Sequence, residues 1–92
     1  MNRYEKYSPR IVAYLYWVGV DDRERDELIK TYAKLFASSK LNAKIYHCGD
    51  SGDAAVIGVR FNGSDIDRVA NCLDITAGDL LSNEVGLAMG AE

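Results

Sequence analysis

The residues best equipped for chemistry fall in one short stretch, His47-Cys48-Gly49-Asp50-Ser51-Gly52-Asp53. An imidazole beside a thiol offers a base and a nucleophile, and two nearby carboxylates offer metal ligands or an orienting partner. His47 is the only histidine in the chain, so it alone would serve any triad or imidazole-bound metal. Successive strand residues point to opposite faces, so His47 and Cys48 do not converge on one ion without a bulge. A strand-end histidine with no catalytic duty is the plainer reading.

Gly49-Asp50-Ser51-Gly52, followed by Asp53, resembles the Gly-Asp-Ser-Gly-Gly around the nucleophile of chymotrypsin-like proteases. The resemblance covers five residues and fails at Asp53. Ser51 in that role would need the histidine base and an orienting carboxylate. Gly, Asp and Ser are equally the residues of tight turns, and a hairpin turn accounts for the segment. Cys72 flanks an apolar helical stripe and reads as a small core residue, with no cation predicted to activate its thiol. Gly78, Gly86 and Gly90 are too scattered for a phosphate-binding loop. The acidic run Asp21–Glu27 contains Arg23 and Arg25 and reads as a solvated helix start. No catalytic residue, metal site or cofactor is expected.

The elements that position these residues are legible from their spacing. Residues 1–9 read as an N-terminal arm closed by Pro9. Ile11–Val20 is an almost wholly apolar run rich in aromatic and β-branched residues, the pattern of a central strand buried on both faces. Asp21 and Glu24 then form a capping-box pattern, and Leu28, Ile29, Tyr32, Ala33, Leu35 and Phe36 recur at helical spacing. These predict a helix from about Asp22 to Ser39, with Asp26 and Lys30 as an i,i+4 pair. Asn42–Cys48 and Ala54–Phe61 read as strands joined by a turn at Gly49–Gly52. Ser64 is placed to cap a second helix carrying Ile66, Val69, Ala70 and Leu73. Thr76–Ser82 suits a helical turn, and Val85–Met89 a short edge strand.

Strand, helix, strand, strand, helix and a further strand predict an α+β domain. Its expected form is a ferredoxin-like sandwich with an antiparallel sheet and two helices on one face. Residues 1–92 should form one domain. Alternation sorts the sheet residues into Ile11, Ala13, Leu15, Trp17, Ile45, Ala55, Ile57, Val59 and Phe61 beneath the helices. Val12, Tyr14, Tyr16, Val18, Tyr46 and Val56 fall on the open face, with Lys44 and Arg60 at its edge. Covering ~500 Å² of such a face would favour association by on the order of 12 kcal/mol before ordering costs. A cover is therefore expected: a second copy, a different protein, or the chain's own N-terminal arm or C-terminal tail.

Charge and composition narrow the function. The net charge is −3, yet residues 28–49 carry four lysines and no acid, while residues 50–92 carry eight acids against Arg60 and Arg68. An acidic half argues against nucleic acid, whose phosphates demand a basic surface. RNA-recognition domains share the expected fold, but the third strand lacks their paired open-face aromatics. Two cysteines make no disulfide framework, and neither a signal peptide nor a membrane span is apparent. The expected setting is the cytoplasm.

Six of the nine aromatic residues are tyrosine, which suits half-buried surfaces and interfaces. The expectation is a non-enzymatic protein-binding domain, acting as a homodimer or as a small inhibitor or adaptor of a larger complex. Phage-encoded antagonists of host defence are one class of that kind. Tyr14, Tyr16, Tyr46 and Arg60 are the expected anchors, with Asp65 and Asp67 steering a basic partner. Two alternatives are an ACT-like small-molecule module and a cofactor-free dimeric α+β barrel enzyme using His47, Asp50 or a tyrosine as acid or base.

Overall fold

The computed structural model describes residues 10–82. The predicted N-terminal arm and the predicted strand Val85–Met89 lie outside that range. The described chain runs β1 (Arg10–Val18), α1 (Asp22–Ser38), β2 (Lys44–Ser51), β3 (Ala54–Asn62), a 3-10 turn (Gly63–Asp65), α2 (Ile66–Cys72) and α3 (Ala77–Ser82). The architecture is α+β.

The strands form an antiparallel sheet in the order β1-β3-β2. Among the described residues β3 is therefore the central strand. β1, expected at the centre for its two apolar faces, has one strand neighbour there. Hairpin β2–β3 turns more tightly than predicted, because Gly49–Ser51 belong to β2 and Gly52-Asp53 alone make the link. Gly52 sits at φ +63, a left-handed conformation that glycine adopts without steric cost.

Helix α1 starts where the capping box predicts. The Glu24 N–H donates to Asp21 Oδ1 at 2.8 Å, and the Asp21 N–H donates to Glu24 Oε1 at 3.1 Å. Two orphan donors of the first turn are thereby satisfied. Phe36 is the buried anchor of α1, with Ile29 and Tyr32 packed partly against the core. Leu35, assigned to the same stripe, is instead 41% exposed, because Phe36 occupies the inward position. Asp26 pairs with Arg25 at 3.0 Å rather than with Lys30.

Both α1 and α2 end in a left-handed residue that is not glycine. After α1, Lys40 has φ 59, its N–H bonds Ala37 O at 3.0 Å, and the Leu41 N–H bonds Phe36 O at 2.9 Å. After α2, Asp74 has φ 61, with Asp74 N–H to Asn71 O and Ile75 N–H to Ala70 O. This is the Schellman pattern, and it aims Leu41 and Ile75 back at the core. Ser64, expected to cap α2, lies inside the 3-10 turn, and Asp65 takes the N-cap position without a side-chain hydrogen bond. Thr76 does cap α3, its Oγ1 accepting from the Asp79 N–H at 3.0 Å.

One apolar cluster joins the sheet to the helical layer. Ile11, Ala13, Leu15, Ile45, Ala55, Ile57, Val59 and Phe61 meet Phe36, Leu41, Val69, Ala70, Leu73 and Leu80 there. The period-two assignment of the inner face holds on every strand, with Trp17 packed partly against the cluster. Arg68 ties two helices together by donating to the Ser39 carbonyl at 2.6 Å, just past the end of α1. No helix among the described residues is long and apolar enough to cross a membrane.

Candidate protein-binding face of the sheet

Register places the outer-face residues in cross-strand rows. Val12, Arg60 and Lys44 form one row; Tyr14, Gly58 and Tyr46 the next; Tyr16, Val56 and Gly49 the third; Val18, Ala54 and Ser51 the last. Tyr14, Tyr16, Tyr46 and Arg60 therefore share one face, as their alternation predicts.

Exposure along that face is graded. Tyr16 is 51% exposed and Val18 65%, and Val56 beside Tyr16 is half-buried. Tyr14 and Tyr46 are half-buried, and each makes a polar or ring interaction of its own. Val12, assigned to the open face, is 0% exposed, although it stands outside the cluster beneath the helices. Opposite it, Arg60 is half-buried, and its Nε is shut away from water with no hydrogen-bond partner among the described residues. Val12 and Arg60 are therefore the withdrawn end of the face. The protruding surface is its Tyr16–Val18 end.

Gly58 gives the middle of the face its shape. It lies between Tyr14 and Tyr46, and the Tyr46 ring covers it so closely that a Cβ would fall 2.7 Å from Tyr46 Cε2 and Cζ and 2.8 Å from Cys48 Sγ. A side chain on β3 would lift the ring, so glycine lets Tyr46 lie flat across the sheet. The Cys48 Sγ thus joins the Tyr46 ring on the outer face.

The chemistry-bearing residues of the hairpin separate. A register shift between His47 and Gly49 places an extra residue in β2. His47 pairs across the sheet with Ile57 and Asp50 with Ala55, both inner-face residues. The bulge thus puts two residues of odd separation on one side of the strand. His47 Nε2 and Asp50 Oδ1 stand 3.2 Å apart, while Cys48 lies across the sheet from them. No group of three or more His, Cys, Asp or Glu among the described residues is placed to hold a metal.

Arg25 of α1 sits near this corner. It donates from Nη1 to Asp22 Oδ1 at 2.9 Å and from Nε to Asp26 Oδ1 at 3.0 Å. The hydrogen bond to Asp26 raises its pKa above the ordinary arginine value; charge attraction from Asp26, Asp22 and Asp50 adds to this, against an opposing desolvation.

Asp65 and Asp67 do not join the aromatic face. They begin α2, whose Val69 and Ala70 are buried in the core, so they belong to the helical layer. Asp65 is 3.7 Å from Arg68, and Asp67 lines a hollow of about 460 Å³ with Arg68, Asn71 and Thr76. An aspartate engaged with its own helix is poorly placed to extend the tyrosine surface. Sequence reasoning gave no sign of this hollow, because its lining combines α2 with the link to α3.

No family model matches the chain, and no match was found among curated proteins or solved structures.

Proposed function

We propose that this chain is a non-enzymatic protein-binding domain that works through the sheet face turned away from its helices. The carrying observation is the pair Tyr16 and Val18, which protrude at one end of that face beside Val56 and Ala54. Scattered surface apolar residues are ordinary, whereas a contiguous apolar patch of a few hundred Å² marks an interaction surface.

Magnitude sets the kind of contact. At about 25 cal/mol per Å², each 100 Å² of apolar surface covered favours association by ~2.5 kcal/mol before ordering costs. A stable interface buries roughly 1,200 Å² or more in total. Tyr16 and Val18 alone fall short of that. The half-buried Tyr14, Tyr46 and Val56 complete the contact, or it is transient.

A second copy is the simplest partner, packed sheet on sheet about a two-fold axis so that each Tyr16–Val18 end meets the same surface. Docking onto a larger assembly as an inhibitor or adaptor uses the same residues. Sedimentation velocity of the intact chain and of Tyr16→Arg tests the reading: the substitution should weaken association and leave the circular dichroism unchanged.

The fold reading behind this is a ferredoxin-like sandwich. Strand–helix–strand–strand–helix order, the sequence β1-β3-β2 across the sheet and a helical layer on one face support it. In that arrangement a fourth strand stands beside β1.

The contact of His47 with Asp50 favours a second reading, acid–base chemistry at the hairpin, since a carboxylate can orient an imidazole. His47→Gln separates the two. Under the binding reading it leaves association untouched.

A further inference from the structure

Charge is divided along the strand axis. At one end stand Val18, the β2–β3 hairpin and the start of α1. There the run Asp21–Glu27 carries five acids against Arg23 and Arg25, and the hairpin adds Asp50 and Asp53. At the other end the outer face carries Arg10 on β1, Arg60 on β3 and Lys44 on β2. Arg10 and Arg60 are half-buried and Lys44 is exposed. Every ion pair among the described residues lies elsewhere, and Arg10 donates instead to Asn62 Oδ1 at 3.1 Å. Asp65 and Asp67, which follow β3 at that end, belong to the helical layer and not to the sheet face.

We infer that a second copy packs face to face on this sheet with its strands antiparallel to the first, so that the basic end of each copy meets the acidic end of the other. This deepens the homodimer form of the binding reading and rests on it. Aligned packing of two sheets offers a two-fold axis along the strands or across them. An axis along the strands superposes like ends. Arg60, on the central strand, then falls on the partner's Arg60, and Asp53 lies close to the partner's Asp53. An axis across the strands superposes opposite ends. Lys44 then stands over the partner's Ser51 and Asp53, and Arg10 over the link that follows the partner's Val18. Facing charges of opposite sign favour docking and like charges oppose it, so electrostatics selects the second axis.

Shape agrees with charge. The antiparallel arrangement sets Tyr16 against the partner's Tyr14, Val56 against the partner's Gly58, and Tyr46 against the partner's Gly49. A Cβ at Gly49 would meet nothing within 4 Å, so there is room for a ring above it. Two bulky residues thus meet glycine, and the third contact pairs aromatic rings. Three strands about 4.8 Å apart and rows spanning ~20 Å give a face of about 290 Å² in projection. That is small beside the ~800 Å² per partner of a standard interface. Charges at the two ends therefore decide whether the copies hold together, and their association is weak and salt-sensitive.

Sedimentation equilibrium of the intact chain in low and high salt reads the orientation without any substitution. Salt screens attraction between opposite ends, so raising sodium chloride from about 0.05 to 0.5 M should weaken self-association at least threefold. Association that strengthens with salt, or ignores it, overturns the antiparallel arrangement. Charge reversal then identifies the contact, since Lys44 and Asp53 are both exposed. Lys44→Glu alone and Asp53→Lys alone should each weaken association at least fivefold. Combined in one chain, they should restore it to within twofold of the parent, with unchanged melting profiles throughout. Single reversals without effect overturn the inference, as does a double reversal no stronger than the single ones. If a reversed chain fails to fold, the salt series of the unsubstituted chain decides. A parent that stays monomeric also overturns it, the face then being covered by a different protein or by the chain's own ends. Association that depends on Tyr16 but not on these charges leaves the binding reading standing and sinks the orientation alone. Association indifferent to Tyr16→Arg sinks both.

Discussion

The ring of Tyr46 lies across Gly58 with no room for a methyl group between them: a Cβ would stand 2.7 Å from Tyr46 Cε2 and Cζ. Gly58→Ala must therefore displace Tyr46, and Cys48 with it. Overpacking of this kind costs about 1–3 kcal/mol. A urea midpoint should fall accordingly, and adding Tyr46→Ser together with Cys48→Ala should recover most of the loss.

Removal of the first cap should weaken α1. Asp21→Ala deletes the acceptor of the Glu24 N–H and breaks the reciprocal box. A loss of about 1 kcal/mol is expected by chemical denaturation. Asp21→Ser, which keeps an oxygen acceptor, should retain nearly all of the stability.

Lys40 offers a gain. Its φ of 59 is a left-handed conformation that side chains resist, at roughly 1–2 kcal/mol per residue. Lys40→Gly relieves that strain but adds freedom to the unfolded chain, which takes back part of the benefit. A net rise in stability of about 0.5–1 kcal/mol is expected, seen as a higher melting temperature.

Arg60 is informative because its Nε is buried without a partner among the described residues. Arg60→Met keeps an apolar stem and removes the unsatisfied donor. Its stability should stay within about 1 kcal/mol of the parent or exceed it. Arg60→Ala, which also discards the stem, should be clearly less stable in the same denaturation series.

Local chemistry and strand alternation were readable in advance. The Asp21–Glu24 box acts within one turn, and the inner-face set follows from the period of a strand, so both are properties of the sequence itself. The bulge at His47–Gly49 was not, since it is fixed by pairing with β3, and with it went the contact between His47 and Asp50. Lys40 and Asp74 carry no helix-ending signal, because glycine is the usual residue there. Ser64 has the right chemistry for a cap, but a 3-10 turn intervenes before α2. Val12 alternates like its outer-face neighbours. Its burial is a matter of what lies over the strand, which periodicity does not encode.

The central claim is that the Tyr16–Val18 end of the outer sheet face is where this domain meets its partner. Sedimentation equilibrium of the intact chain beside Tyr16→Arg combined with Val18→Asp tests it most directly, since both side chains are solvent-exposed and the fold should survive their replacement. Concentration-dependent association of the parent, weakened at least tenfold in the doubly substituted chain with an unchanged melting profile, is the predicted result. Association of equal strength in the two proteins would contradict the assignment, as would a parent chain that stays monomeric at all accessible concentrations and binds no other protein through this face.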